Sequence, residues 1–157
     1  MTPDQALEKL SAFLQREGLK MTAQRRLITE VFFDDHFKHQ HRSVDDLYRT
    51  VRELDPNVGY ATVYRTVKLF VASGLASPRQ LGGAETRYEP ESPGEHHDHL
   101  VCLDCGHIEE FENERIEELQ HDVASAFGFR IEEHRMVLYG RCIRVECPHR
   151  APAPGLS

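Results

Sequence analysis

GYATVYRTVKLF, residues 59–70, separates its side chains by chemistry when wound as a helix. Val63, Val67, Phe70 and Val71 fall on one face and are expected to pack inward. Ala61, Arg65, Lys68 and Ala72 point the other way, with Tyr64 on the flank. Leu69 also falls on the outward side and is expected to rest against an N-terminal helix. The spacing predicts a helix from about Ala61 to Ser73, stopped at Gly74. Small residues near its start permit close approach to a DNA groove. Arg65 could reach a guanine edge or a phosphate, and Tyr64 could pack on thymine methyls. The competing reading is an amphipathic surface helix whose cations are merely solvated. The segments on either side decide between the two.

Upstream, Thr2-Pro3-Asp4-Gln5 reads as a helix start with a capping box, and Leu7, Leu10, Phe13 and Leu14 follow at helical spacing before Gly18. Thr22 opens a second helix to about Phe33, with Leu27, Ile28 and Val31 on one face. Ser43, followed by Asp45 and Asp46, caps a third helix carrying Val44, Leu47, Tyr48, Val51 and Leu54. Downstream, LASPRQLGGAETRYE (75–89) reads as a β-hairpin turning at Gly82-Gly83. Short helices with a hairpin directly after the last predict a winged helix-turn-helix domain over residues 1–88. That order favours DNA over mere solvation. Lys20, Arg25 and Arg26, near the start of the second helix, would then suit backbone phosphates.

The 157 residues carry a net charge of −7, which argues naively against nucleic acid. The charge is unevenly spread, however. Residues 1–83 hold 12 Lys and Arg against 10 Asp and Glu, whereas 84–157 hold 7 against 16. Two units with different partners would explain this. EPESPGE (89–95) is rich in Pro and Gly and reads as a hinge. Beyond it, HLVCLDCGHIEEF predicts strand, turn, strand; Asn113 to Phe127 an amphipathic helix with Ile116, Leu119, Val123 and Phe127 on one face; and RIEEHRMVLYGRC a last strand. The second domain is placed at 96–149 and RAPAPGLS, 150–157, is expected to be a disordered tail. The fold class expected is α+β. No stretch approaches the ~20 apolar residues that span a bilayer. The N-terminus shows no charged-then-apolar leader, so no membrane partner and a cytoplasmic location are expected.

Cys102 and Cys105 form CLDC, and Cys142 and Cys147 form CIRVEC. In a cytosolic chain two such pairs suit tetrahedral Zn(II) better than a disulfide framework. One ion would tie the start of the second domain to its end and stabilise a unit of small core. A redox CxxC is the rival, but nothing around Cys102 resembles a strand-to-helix redox turn, and the second pair would have no role.

In EHHDH (95–99), alternation along a strand puts His97 and His99 on one face and His96 and Asp98 on the other. His97 and His99 need further ligands, for which Glu89, Glu110 and His41 are candidates. His96 and Asp98 would look to Glu117 and His134. Such imidazole and carboxylate sets suit Fe(II), Zn(II), Co(II) or Mn(II) without choosing among them. A solvated polar loop is the alternative, and His36, His107, His121 and His149 are assigned to solvent.

Across residues 10–148 the chain resembles the ferric uptake regulator family. GLKMTAQR (18–25), SVDDLY (43–48), GYATVYRTV (59–67), HHDHLVCLDCG (96–106) and YGRC-x4-C (139–147) occur in the family's order. The resemblance implies a winged-helix domain, a hinge and an α/β dimerisation domain. It also implies a homodimer or tetramer that binds palindromic, AT-rich double-stranded operators when loaded with metal. Carried over, Cys102, Cys105, Cys142 and Cys147 match the structural zinc site. His41, Glu89, His97, His99 and Glu110 match the regulatory interdomain site. His96, Asp98, Glu117 and His134 match the auxiliary site, and Lys20, Tyr64 and Arg65 the DNA contacts. Glutamates at 89 and 110, and no spare cysteine, lean toward an Fe(II)-sensing repressor of iron uptake, with Zn(II), Mn(II) or Co(II) able to substitute. Peroxide, zinc and manganese sensing are the rivals within the family. From other classes, a zinc-dependent hydrolase would need an open cleft and finds no HExxH, and a zinc-stapled interaction module leaves Arg65 and Tyr64 without a role.

Overall fold

Thr2 caps α1 (Pro3–Arg16) by a reciprocal exchange: its hydroxyl accepts from the Gln5 amide at 3.3 Å, and its own amide donates to Gln5 Oε1 at 3.0 Å. In this computed structural model, residues 1–34, 41–81, 85–91 and 97–143 are described. The chain divides into two units, Met1–Gly94 and Glu95–Ser157.

In the first unit, Thr22 caps α2 (Ala23–Phe32) and Ser43 caps α3 (Val44–Leu54), the latter with Asp46 closing a capping box. The helix read from GYATVYRTVKLF is α4 (Tyr60–Ala72), one residue earlier at each end than expected. Val63, Val67 and Phe70 are fully buried, and Phe70 meets the rings of Phe32 and Phe33 at 5.1 and 5.4 Å. Leu10, Leu14, Ile28, Leu47 and Val51 belong to the same core. Each such burial stabilises the fold by roughly 1.5–3 kcal/mol. Leu69 is half-buried against this cluster. Thr66, whose burial the pattern did not indicate, satisfies its hydroxyl by donating to the Thr62 carbonyl at 2.7 Å. β1 (Ala76–Arg79) and β2 (Arg87–Pro90) pair antiparallel as the wing, with Ser77 opposite Glu89 and Arg79 opposite Arg87. The Gly82-Gly83 turn lies outside the described residues. Because β2 runs to Pro90, Glu89 is a strand residue of the wing and not the first residue of a linker.

The second unit is a three-stranded sheet ordered β4-β3-β5. β3 (Asp98–Cys102) pairs antiparallel with β4 (Ile108–Phe111) and parallel with β5 (Val137–Gly140). Parallel pairing needs a crossover, which α5 (Glu114–Ala126) supplies, capped by the Asn113 side chain. The last strand is shorter than the 130–142 expected. The ladder to β3 extends only from His99↔Val137 to Cys102↔Gly140. Arg130 and Arg135 pair instead with Glu132 and Glu133 in solvent. No residue of α5 is buried within a single chain, and Leu119, Val123 and Phe127 are 59, 58 and 77% exposed. Among the described residues, no helix is long and apolar enough to cross a membrane.

Candidate metal centres and the recognition helix

In the first unit the pairing of His41 with Glu89 starts in the backbone. Arg42 and Tyr88 form an isolated antiparallel bridge, Arg42 N–H donating to Tyr88 O at 3.1 Å and Tyr88 N–H to Arg42 O at 2.7 Å. One step along that bridge, His41 faces Glu89, and its Nε2 lies 2.7 Å from Glu89 Oε2. Both residues are only 7% exposed. Burying an imidazole and a carboxylate costs free energy unless each finds a partner. Arg79 grips the other oxygen, Glu89 Oε1, through both Nε and Nη2. Arg87 donates to the His41 carbonyl at 2.7 Å and lies 3.8 Å from Asp46 Oδ2. Burial opposes ionisation of Asp46. Hydrogen bonds from the side chain and backbone of Ser43, with Arg87 and Arg49 nearby, outweigh it and hold the carboxyl below its usual range.

In the second unit, β3 alternates as the sequence predicted. His99 stands directly opposite Glu110 on β4, and His97 Nε2 lies 3.7 Å from Glu110 Oε1. The His97 and His99 rings meet edge-on at 5.1 Å. Asp98, 1% exposed, belongs to a separate set: Asp98, Glu117 and His134 offer ligand atoms all within 4.8 Å of one another. His134 Nε2 is 3.4 Å from Glu117 Oε1 and 4.0 Å from Asp98 Oδ1. Ligands about 2.0–2.2 Å from an ion sit roughly 3–3.6 Å from each other, so this set fits a first-row divalent metal with little adjustment. His96, expected as its fourth member, lies outside the described residues.

The CxxC segment turns between β3 and β4. Gly106, at φ +72°, donates to the Cys102 carbonyl at 2.9 Å, a turn conformation that favours glycine. Cys102 Sγ accepts from the Cys142 amide at 3.2 Å, so the two cysteine segments meet. Amide donors from Cys105, then Asp104, outweigh burial and, with Cys142, push the Cys102 thiol down to about 7. None of the three described cysteines forms a disulfide. Cys147 lies outside the described residues. His107, assigned to solvent, in fact pairs with Glu109 at 2.9 Å. His121 is exposed as expected, and His36 and His149 lie outside the described residues.

On α4, Ala61, Arg65, Lys68 and Ala72 are exposed and Tyr64 is 44% exposed. Arg65 Nε donates to the Ala61 carbonyl at 3.1 Å, which lays the guanidinium along the outer face. Lys68 Nζ sits 5.6 Å over the Tyr64 ring. Lys20 and Arg26 are exposed, while Arg25 is half-buried and donates to the Lys20 carbonyl. Arg25 therefore also shapes the turn that presents Lys20. The sequence reading passed over Arg79 and Arg87. Two arginines on either side of the wing turn, with Glu89 beyond the second, were the available signal, legible only once the hairpin register was fixed.

Against known proteins, residues 16–139 match the model of the ferric uptake regulator family. The ferric uptake regulation protein of Cupriavidus metallidurans is 41% identical over 139 residues, 88% of this chain and 95% of that one. Among solved structures, the Helicobacter pylori ferric uptake regulator, described as having three functional metal-binding sites, aligns with a TM-score of 0.81 at 29% identity. That alignment covers 91% of this chain and 93% of the other. A zinc-bound manganese uptake regulator aligns with a TM-score of 0.68 at 38% identity, over 86% of this chain and 99% of the other. The match removes support for the hydrolase reading, because proteins of this kind are regulators and not enzymes. This chain belongs to the ferric uptake regulator family of metal-responsive, DNA-binding transcriptional regulators.

Proposed function

We propose that the protein is an Fe(II)-responsive, cytoplasmic repressor of iron-uptake genes that binds palindromic, AT-rich operators as a homodimer. The observation that carries this reading is the matched chemistry of two incomplete ligand sets. The first unit pairs His41 with Glu89, and the second pairs His97 with Glu110 beside His99. Each set alone offers too few donors for a divalent ion that takes four to six ligands. An ion drawing on both would restrain the hinge and favour one spacing of the two reading heads, by its differential affinity for that state. Asp98, Glu117 and His134, joined by His96, are the auxiliary site, and Cys102, Cys105, Cys142 and Cys147 hold structural zinc. Lys20, Arg25, Tyr64 and Arg65 are the DNA contacts, and the exposed apolar face of α5 meets its copy in the dimer.

An all-nitrogen-and-oxygen regulatory set suits Fe(II), but it suits Mn(II) equally, and one similar structure is of a manganese uptake regulator. Mn(II) is therefore the second reading. Operator affinity measured anaerobically against buffered Fe(II), Mn(II), Zn(II) and Co(II) separates the two. Fe(II) is expected to activate binding at free concentrations a cell maintains. Operator affinity that is the same with and without chelator would sink the metal switch.

A further inference from the structure

Glu89 has two carboxylate oxygens, and the first unit assigns them to different partners. Oε2 faces His41 Nε2 at 2.7 Å, while Oε1 is gripped by Nε and Nη2 of Arg79. The grip follows from register. Ser77 stands opposite Glu89, so Arg79 lies two residues further along the same face of β1, within diagonal reach. Arg87, directly opposite Arg79, is turned to the His41 carbonyl and to Asp46. Arg79 is thus a cation that addresses Glu89 directly. Its side chain is 20% exposed and that of Glu89 9%, so water screens the pair only in part.

We propose that Arg79 is a positioning residue that sets the metal threshold of the regulatory site by acting as an internal competitor for Glu89. This rests on the reading that Glu89 is a regulatory ligand. With Oε1 held, Glu89 offers only Oε2, on the side of His41, so it binds an ion through one oxygen. The guanidinium also keeps a fixed positive charge beside a dication, which weakens binding. In exchange it neutralises a buried carboxylate while no ion is bound and fixes its rotamer. A sensor gains from this trade, because its occupancy must follow free metal and not saturate.

The test is Mn(II) binding to the full chain carrying His134→Ala, which disables the auxiliary set, read from the EPR signal of free Mn(II) and by competition with a chelating dye. Arg79→Gln keeps a donor for Oε1 and removes the charge; it is expected to bind Mn(II) about tenfold more tightly. Arg79→Lys keeps the charge and is expected to stay within about threefold of the parent. A purely structural arginine would instead give weaker binding and a lower Tm in both variants. If Arg79→Gln binds Mn(II) no more tightly than the parent, the inference is overturned. If the parent itself takes up no Mn(II), or does so unchanged after His41→Ala, the regulatory-site reading falls first and takes the inference with it.

Discussion

His41 and Glu89 come within 2.7 Å because Arg42 and Tyr88 exchange backbone hydrogen bonds one residue away. Strand geometry therefore sets the two side chains facing each other. His41→Ala should leave that bridge intact and the fold within about 1–2 kcal/mol of wild type. Regulatory-metal affinity should fall by no less than the about 10–100-fold typical of groups that only orient ligands. Fluorescence anisotropy of labelled operator over a buffered Mn(II) series measures this. An unshifted activation midpoint would remove His41 from the site.

The exposed face of α4 makes a separable prediction for DNA. Arg65 lies along the exposed face of the helix with its Nε bonded to the Ala61 carbonyl, where a base edge can reach it. Arg65→Ala should cost about 1–3 kcal/mol of operator binding and relax sequence preference. Lys20, exposed after α1, should act on phosphate alone. Lys20→Ala should weaken operator and random DNA alike and lower the salt slope by about 1. A Lys20→Ala protein that loses discrimination but keeps its salt slope would reverse these roles.

Acid sensitivity of the first unit should pass partly through Asp46. Its folded carboxyl titrates below the free value, despite burial, because Ser43, Arg87 and Arg49 favour the charged form. A lowered folded pKa means the unfolded chain binds the proton first as pH falls. The stabilisation is complete above the unfolded value of about 3.9 and disappears as pH drops through the lower folded one. Asp46→Asn should therefore be less stable at pH 7 and converge with wild type only as pH falls through the lowered folded pKa. Urea unfolding followed by circular dichroism at a series of pH values checks it; parallel curves would show that Asp46 is not the group.

Much of this architecture was legible because its rules are local. The caps Thr2, Thr22 and Ser43, the face of Val63, Val67 and Phe70, and the alternation that separates Asp98 from His97 and His99 each depend on neighbours a few residues away. What the sequence hid depends on register between distant segments. The seven-residue gap between Arg79 and Arg87 does not reveal that one arginine holds Glu89 and the other the His41 carbonyl. The start of the last strand was hidden for the same reason. RIEEHR was read into the last strand, but β5 begins at Val137, and the charges of the preceding segment settle on one another.

α5 carries the last prediction. Leu119, Val123 and Phe127 recur on one face of this helix and stay largely exposed, a pattern that water disfavours and a second copy can cover. A symmetric pairing would bring the same patch of both protomers together. Phe127, at 77% exposure, presents the largest apolar surface of the three. Placing a charge there should cost the dimer about 2 kcal/mol or more, so Phe127→Asp should raise the dimer dissociation constant on the order of 30-fold. Multi-angle light scattering over a dilution series reads the change directly. The Asp98, Glu117 and His134 set is built within one chain and should still bind metal in the monomer. Operator affinity should collapse, because a single winged unit reads only one half-site. A Phe127→Asp protein that stays dimeric at high dilution would move the interface away from α5.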